Sequence, residues 1–189
     1  MNIEKLIQLT YYLLKKYDYR LNYTKLIKLL YLADREAFKE TGLSLTGDVY
    51  YSLDNGPVLS GLLDLIHGTY KNKEAQNLWD ARFARDSYDL ITVVDRIPLS
   101  KLSDFDREVL DKVDNQFHDK DYSSLISYLH NKDNCPEWKN PNGSRLPIKI
   151  EDILANIGKS QDEIDFIMQE NNLYEEEEKL FAELGASLA

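Results

Sequence analysis

Apolar positions in the first part of the chain recur at the spacing of two amphipathic helices. The first set predicts a helix over about 2–18, with apolar residues at positions 3, 6, 7, 13 and 14. Asn22 is a typical N-cap residue, and the apolar positions after it predict a second helix that ends near Gly42. The first segment carries lysines and a glutamate but no small-residue cleavage site, which favours a helix over a signal peptide.

The hydrophobic period then changes from that of a helix to that of a strand. Residues 49–54 alternate between two faces and predict a short strand, followed by a turn that ends at Gly56. Pro57 favours the first position of a helix, so the next helix is expected to begin there and to end at Gly68. Gly61 inside that helix indicates close packing against a neighbouring element.

The second half of the chain combines one hairpin pattern with further helical patterns. Residues 82–95 predict a hairpin around a polar corner at 85–87, and with strand 49–53 they predict one small antiparallel sheet. The loop from His130 to Ile148 contains Trp138 and is expected to pack on the body of the protein. Helices are predicted over about 103–118, 122–130, 150–157 and 160–183.

These elements predict a mainly α fold of the α+β class, a compact helical domain with a small antiparallel β-sheet or hairpin. The domain is expected to span residues 1–148, with a helical extension over 149–189 packed on it. No apolar run approaches the length of a membrane span, so no membrane partner is expected.

Charge and cysteine content narrow the function classes. The formal net charge of −10 argues against sequence-independent binding of nucleic acid, and it suits a basic partner or simply keeps the protein soluble. Cys135 is the single cysteine, which excludes an intramolecular disulfide and fits a reducing cytoplasm.

Sites of chemistry are weakly indicated. The corner at Gly56 and Pro57 opens a predicted helix and could hold an anion, but Pro57 removes one N–H group, which favours a structural turn. The three histidines lack metal-ligand spacing, and a structural role is the better interpretation of His130. The acidic residues show no recurring spacing either, so no catalytic residue, metal or cofactor is predicted; they are Asp34, Glu36, Asp48, Asp54 and Asp64.

The second helix carries a basic and aromatic stripe. Lys25, Lys28 and Arg35 lie with Tyr31 on roughly one side of it. Such a stripe can meet nucleic acid, but in an acidic chain it is better interpreted as a solvated or partner-facing side.

Three segments together resemble a known family. TKLIKLLYLADREAF, TGDVYYSLDNGPVLSGLLDLI and SYLHNKDNCPEW are similar, in their order and spacing, to the Panacea domain, also called the SocA-like antitoxin domain. The resemblance covers about residues 3–140, and the chain departs from the family at Ser52-Leu53, where a small residue is common. The matching positions are Lys25, Leu26, Lys28, Leu29, Leu30, Tyr31, Gly47, Asp48, Tyr50, Gly56, Pro57, Val58, His130 and Trp138.

The resemblance implies a cytoplasmic antitoxin of bacteria or their prophages, without enzymatic activity. It would neutralise a cognate toxin, encoded by the adjacent gene, through direct protein–protein binding. The alternatives are a DNA-binding autorepressor of its operon and, with less support, a metal-dependent hydrolase. A homodimer of the free protein is left open.

The toxin is expected to meet the polar side of the second helix and the adjoining strand through Lys28, Tyr31, Arg35 and Tyr50. The alternative is that many of the thirteen tyrosines fill the core. In a second hypothesis, the acidic run Glu175–Glu178 contacts a basic toxin. The alternative is that this run is only the solvated end of a helix, which is the commoner role. Structural roles are implied for Lys25, Gly47, Asp48, Gly56, Pro57, His130 and Trp138.

Overall fold

The computed structural model describes residues 1–171 and 173. The helices are α1 Ile3–Lys15, α2 Tyr23–Thr41, α3 Ser60–His67, α4 Lys73–Asp80, α5 Asp104–Phe117, α6 Tyr122–His130, α7 Ile150–Asn156 and α8, residues 161–171 together with residue 173. The strands are β1 Arg20–Asn22, β2 Tyr50–Leu53, β3 Gly56–Leu59, β4 Phe83–Asp86, β5 Asp89–Thr92 and β6 Leu146–Ile148. The predicted fold class, a mainly helical α+β domain with small antiparallel sheets, is confirmed.

Helix α2 runs through the centre of the protein and packs against α5, α6 and β3. Its ends are set locally, because the Asn22 side chain accepts a hydrogen bond from the Lys25 N–H and Gly42 adopts a left-handed φ of 76°. Both predicted ends are therefore confirmed. Apolar side chains are buried on more than one side of the helix, as expected for a helix surrounded by other elements.

The strands form two separate three-stranded sheets, with orders β1-β5-β4 and β3-β2-β6. The prediction of one sheet that joins the hairpin to strand 49–53 is wrong. The β4–β5 hairpin pairs with β1, where Arg20 lies opposite Ile91, whereas β2 lies between β3 and β6. Strands β1 and β6 have three residues each, too few for the alternation that identifies a strand in a sequence.

The expected helix start at Pro57 is also wrong, because Pro57 lies in β3 and α3 begins at Ser60. A continuous apolar run does not distinguish a buried strand from a buried helix, and all four residues of β3 are buried. Proline is tolerated here because β3 is an edge strand. The predicted helix end at Gly68 is confirmed by its left-handed φ of 73°.

The segments around these sheets follow the predictions unevenly. The loop after α6 packs on the body as predicted, and Trp138 is 7% exposed. Helix α4 was not predicted, although Asn72 caps it and Trp79 is buried. The predicted helix over 160–183 is confirmed at 161–171, and the run Glu175–Glu178 lies outside the described residues. In residues 1–171 and 173, no helix is both long and apolar enough to cross a membrane.

Candidate functional site

Asp34, which is completely buried, fixes the segment between α2 and β2. Its carboxylate accepts hydrogen bonds from the backbone N–H groups of Leu45 and Thr46, at 2.8 and 3.0 Å. It also accepts from the Thr46 hydroxyl and, at 2.9 Å, from the Tyr50 hydroxyl. Burial raises the pKa of Asp34 to about 6, and these hydrogen bonds oppose that rise. The carboxylate thus holds a loop against the central helix.

Asp48 provides the N-terminal cap of α3 from a distant position. The residue at the N-cap, Leu59, has no side-chain acceptor, and the Asp48 carboxylate accepts from the N–H groups of Gly61 and Leu62, both at 2.8 Å. A Cβ atom at Gly61 would lie 2.9 Å from the Asp48 carboxylate, so glycine permits this approach. Gly47, the residue directly before Asp48, has a left-handed φ of 62°. The expected close packing at Gly61 is therefore confirmed.

Lys28 lies beneath the β2–β3 hairpin and is 1% exposed. Its Nζ donates a 2.6 Å hydrogen bond to the Pro57 carbonyl oxygen, and burial lowers the pKa of the ammonium to about 7. Pro57 lies on the buried edge strand β3, and Lys28 supplies the hydrogen-bond donor that its carbonyl oxygen requires there. Gly56 has a left-handed φ of 98°, and a Cβ atom there would make a tight contact of 3.2 Å with the Lys28 Nζ.

His130 and Trp138 pack against the same hairpin, beside Lys28. Their rings stack with centroids 3.9 Å apart and an interplanar angle of 13°. The Trp138 Nε1 donates to the Leu53 carbonyl oxygen at 3.0 Å. Burial, followed by the nearby Lys28 charge, lowers the pKa of His130, and its buried Nε2 has no hydrogen-bond partner among the residues that the structure describes. The four motif residues Gly56, Pro57, His130 and Trp138 thus meet around Lys28.

A second polar group links α2 to the loop after α6. The Arg35 Nε lies 2.8 Å from the Glu137 Oε1, which also accepts a 2.7 Å hydrogen bond from the Tyr31 hydroxyl. The Arg35 Nη1 donates to the Asn134 carbonyl oxygen at 2.7 Å. Burial raises the pKa of the Cys135 thiol to about 12, which keeps this thiol protonated at neutral pH.

The basic and aromatic stripe predicted on α2 is not solvated. Lys28 and Tyr31 are 1% and 0% exposed, and Tyr50 on β2 is 3% exposed. The Arg35 side chain is 14% exposed, and the Lys25 Nζ donates to the His118 carbonyl oxygen at 2.6 Å. The expectation of a solvent-facing side is wrong, because α5, α6 and the loop at 131–138 cover it. The role of Lys28, Tyr31, Arg35 and Tyr50 in partner binding stays a prediction.

Two residues essential to this arrangement were missed as site residues. Asp34 was noted only among scattered acids, and Glu137 was not noted at all. The partners of Glu137 lie about a hundred positions earlier in the chain, and no local spacing connects them. A charged residue directly before the loop tryptophan was the one available signal.

Most polar groups of this cluster face one another or backbone groups, and the buried His130 Nε2 and Glu137 Oε2 have no hydrogen-bond partner among the described residues. The Asp48 carboxylate, a candidate for hydrolase chemistry, is bound by three backbone N–H groups. Within the described part of the chain, no group of three histidine, cysteine or acidic side chains is placed to hold a metal ion. These contacts join α2, the β2–β3 hairpin and the loop after α6 into one rigid unit.

The comparisons with known proteins agree with this picture. Residues 26–139 match the family model described as antitoxin SocA-like, Panacea domain. The match begins within α2 and ends one residue after Trp138, so it contains the whole cluster around Lys28 and excludes α7 and α8. No curated protein and no solved structure was found to match the chain.

Proposed function

Since the chain belongs to the Panacea-domain family of SocA-like antitoxins, we propose that it neutralises a toxin protein by direct binding and has no enzymatic activity. The observation that carries this proposal is the family match over residues 26–139, in which the matching motif residues hold the fold together. A protein that acts by binding needs a rigid scaffold, because ordering flexible segments on association weakens affinity.

The four residues expected to bind the partner fit this scaffold in two ways. Lys28, Tyr31 and Tyr50 are buried, and they support binding by holding α2 against the hairpin and the following loop. Arg35 keeps a partly exposed side chain, so it is the member of the set that a toxin reaches directly.

The domain organisation belongs to the same proposal. Residues 1–148 form the antitoxin domain, and the pairing of β6 with β2 supports a boundary no earlier than Ile148. The helical extension is proposed over 149–189, and its described part packs on that domain, where α7 contacts α2 and Ile164 is buried. The match to the family ends before this extension begins, which supports a distinct role for it.

The cellular setting is part of the same proposal. The toxin is encoded by the adjacent gene of a bacterial or prophage operon, and the pair acts in the cytoplasm. The single cysteine, which cannot form an intramolecular disulfide, supports a reducing compartment.

Affinity capture of the tagged protein, expressed with its native flanking genes, tests the proposal. Mass spectrometry should identify a near-stoichiometric small protein from the neighbouring gene. That protein should arrest growth when expressed alone, and growth should return on co-expression. The matched control carries the same tag and flanking genes with a stop codon early in the neighbouring gene. A neighbouring protein that arrests growth in both the presence and the absence of this chain would contradict the proposal.

A further inference from the structure

Helix α8 exposes large apolar side chains on the outside of the protein. Phe166 is 63% exposed and Leu173 is 50% exposed. They are seven residues apart, close to two helical turns, so they lie on one face of the helix. A different face packs on the body: Ile164 is 3% exposed, and Ile167 contacts the end of α2 at Gly42. The exposed face is therefore not used to attach α8 to the protein.

The charges that α8 itself carries around this apolar face have one sign, and Lys159, just before the helix, pairs with Glu163 at 3.7 Å. The exposed charged side chains of α8 are all carboxylates: Asp162, Glu163, Asp165 and Glu170. In the sequence, no lysine or arginine occurs between Ser160 and the end of the run Glu175–Glu178. Asp162 and Glu170 are four residues before and after Phe166, which places them beside it on the helix surface. The face is an apolar centre with an acidic border.

An apolar centre with a charged border is the usual anatomy of a protein interface, and its border selects a partner of opposite charge. A second copy of this chain would bring two acidic borders together, and like charges repel. The complementary partner therefore carries exposed apolar side chains surrounded by lysine or arginine.

We propose that the Phe166–Leu173 face of α8 is a docking surface for a basic surface of the toxin. This inference rests on the proposed function and adds the site of contact and the chemistry of the partner. The family match ends before α8, so this docking surface lies outside the scaffold that the family shares.

Binding of the purified neighbouring toxin to the full-length chain tests this surface. The double substitution Phe166→Ala/Leu173→Ala should weaken the affinity by about 10- to 100-fold, as expected when central apolar contacts are truncated. The matched control is Tyr122→Ala on α6, which removes an aromatic side chain of 48% exposure at another place and should change the affinity by less than about twofold. Circular dichroism should show both variants folded.

The acidic border has its own signature in the rate of association. Asp162→Lys/Glu170→Lys should slow association of the toxin, and the difference from the unmodified chain should shrink as salt is added. A photo-crosslinking amino acid at position 166 should attach to the toxin, whereas the same group at position 122 should not.

The outcomes separate this surface from the proposed function. If the unmodified chain binds and neutralises the toxin and the Phe166→Ala/Leu173→Ala variant binds equally well, the docking surface is wrong and the function stands. If the substitution changes only self-association, measured by light scattering, the face is an interface between copies and the inference is wrong. If the unmodified chain neither binds nor neutralises the toxin, the proposed function fails and the inference fails with it.

Discussion

The surroundings of the β2–β3 hairpin and the outer face of α8 use their side chains in opposite ways. Under the hairpin, Lys28, Asp34 and Trp138 are almost completely buried and bind backbone groups of other elements. On α8, Phe166 and Leu173 are exposed, and the carboxylates beside Phe166 face solvent. The first region lies inside the family match and the second lies outside it.

This difference separates the residues that identify the family from those that we assign to the partner. A buried lysine or aspartate constrains the sequence because its removal leaves several groups without hydrogen-bond partners. An exposed apolar face constrains the fold little, so it can differ between related proteins that meet different toxins. Substitutions under the hairpin should therefore change stability, and substitutions on α8 should change binding.

The largest effect on stability is expected for Asp34→Ala. The substitution leaves two buried N–H groups and the hydroxyls of Thr46 and Tyr50 without their acceptor. The free energy of unfolding should fall by about 4 kcal/mol, as measured by urea denaturation. Asp95→Ala, at an exposed position, is the control and should change it by less than about 0.5 kcal/mol. Equal stabilities of the two variants would show that Asp34 does not anchor the loop.

Gly56→Ala compares a glycine under close contact with one in open space. A Cβ atom at Gly56 meets the Lys28 Nζ at 3.2 Å, whereas at Gly143 nothing lies within 4 Å, and both residues have a left-handed φ. Gly143→Ala should lower the free energy of unfolding by about 1 kcal/mol through backbone strain alone. Gly56→Ala should lower it by about 3 kcal/mol because the tight contact adds to the strain. Thermal unfolding of both variants measures the difference, and equal costs would mean that the lysine moves away freely.

Lys28 should make stability rise with pH. Its pKa is about 7 in the folded protein, below the ordinary value of 10.5, so between these values the unfolded chain holds a proton that the folded chain lacks. The free energy of unfolding of the unmodified protein, relative to Lys28→Met, should therefore rise by about 2 kcal/mol from pH 7 to pH 9. Urea denaturation of both proteins at each pH measures the two free energies of unfolding. A difference between them that stays constant from pH 7 to pH 9 would contradict the lowered pKa of Lys28.

The smallest of these effects is expected for Trp138→Phe. Phenylalanine keeps an aromatic ring against His130 but loses the N–H bond to the Leu53 carbonyl oxygen. Trp79, a buried tryptophan packed against Phe83, provides the comparison. Trp138→Phe should lower the free energy of unfolding by about 1 kcal/mol more than Trp79→Phe does. Calorimetric unfolding of both variants provides the comparison. A larger cost at Trp79 would assign the effect to lost packing and not to the hydrogen bond.

Local signals predicted much of the fold. Asn22 and Gly42 delimit α2 through caps that a few neighbouring residues determine. The capping box of α5, in which Ser103 and Asp106 bind each other's backbone N–H groups, is equally local. The start of α3 was mispredicted because its cap comes from Asp48, 13 positions before Gly61, while Pro57 gives a misleading local signal.

The candidate site was predictable as a set of residues but not as an arrangement. Motif order identified Gly56, Pro57, His130 and Trp138, which the structure brings together. Periodicity placed Lys28 and Tyr31 on a polar side of α2, but it carries no information on the distant elements that cover that side. Burial of these residues depends on Pro57 and Glu137, which are 29 and 106 positions away.

Hydrogen exchange of the full-length chain, with and without the neighbouring toxin, tests the division between scaffold and contact surface most directly. Our account predicts added protection in peptides that cover residues 161–173, with unchanged exchange in those that cover the β2–β3 hairpin. Added protection of the hairpin, with none in residues 161–173, would contradict it.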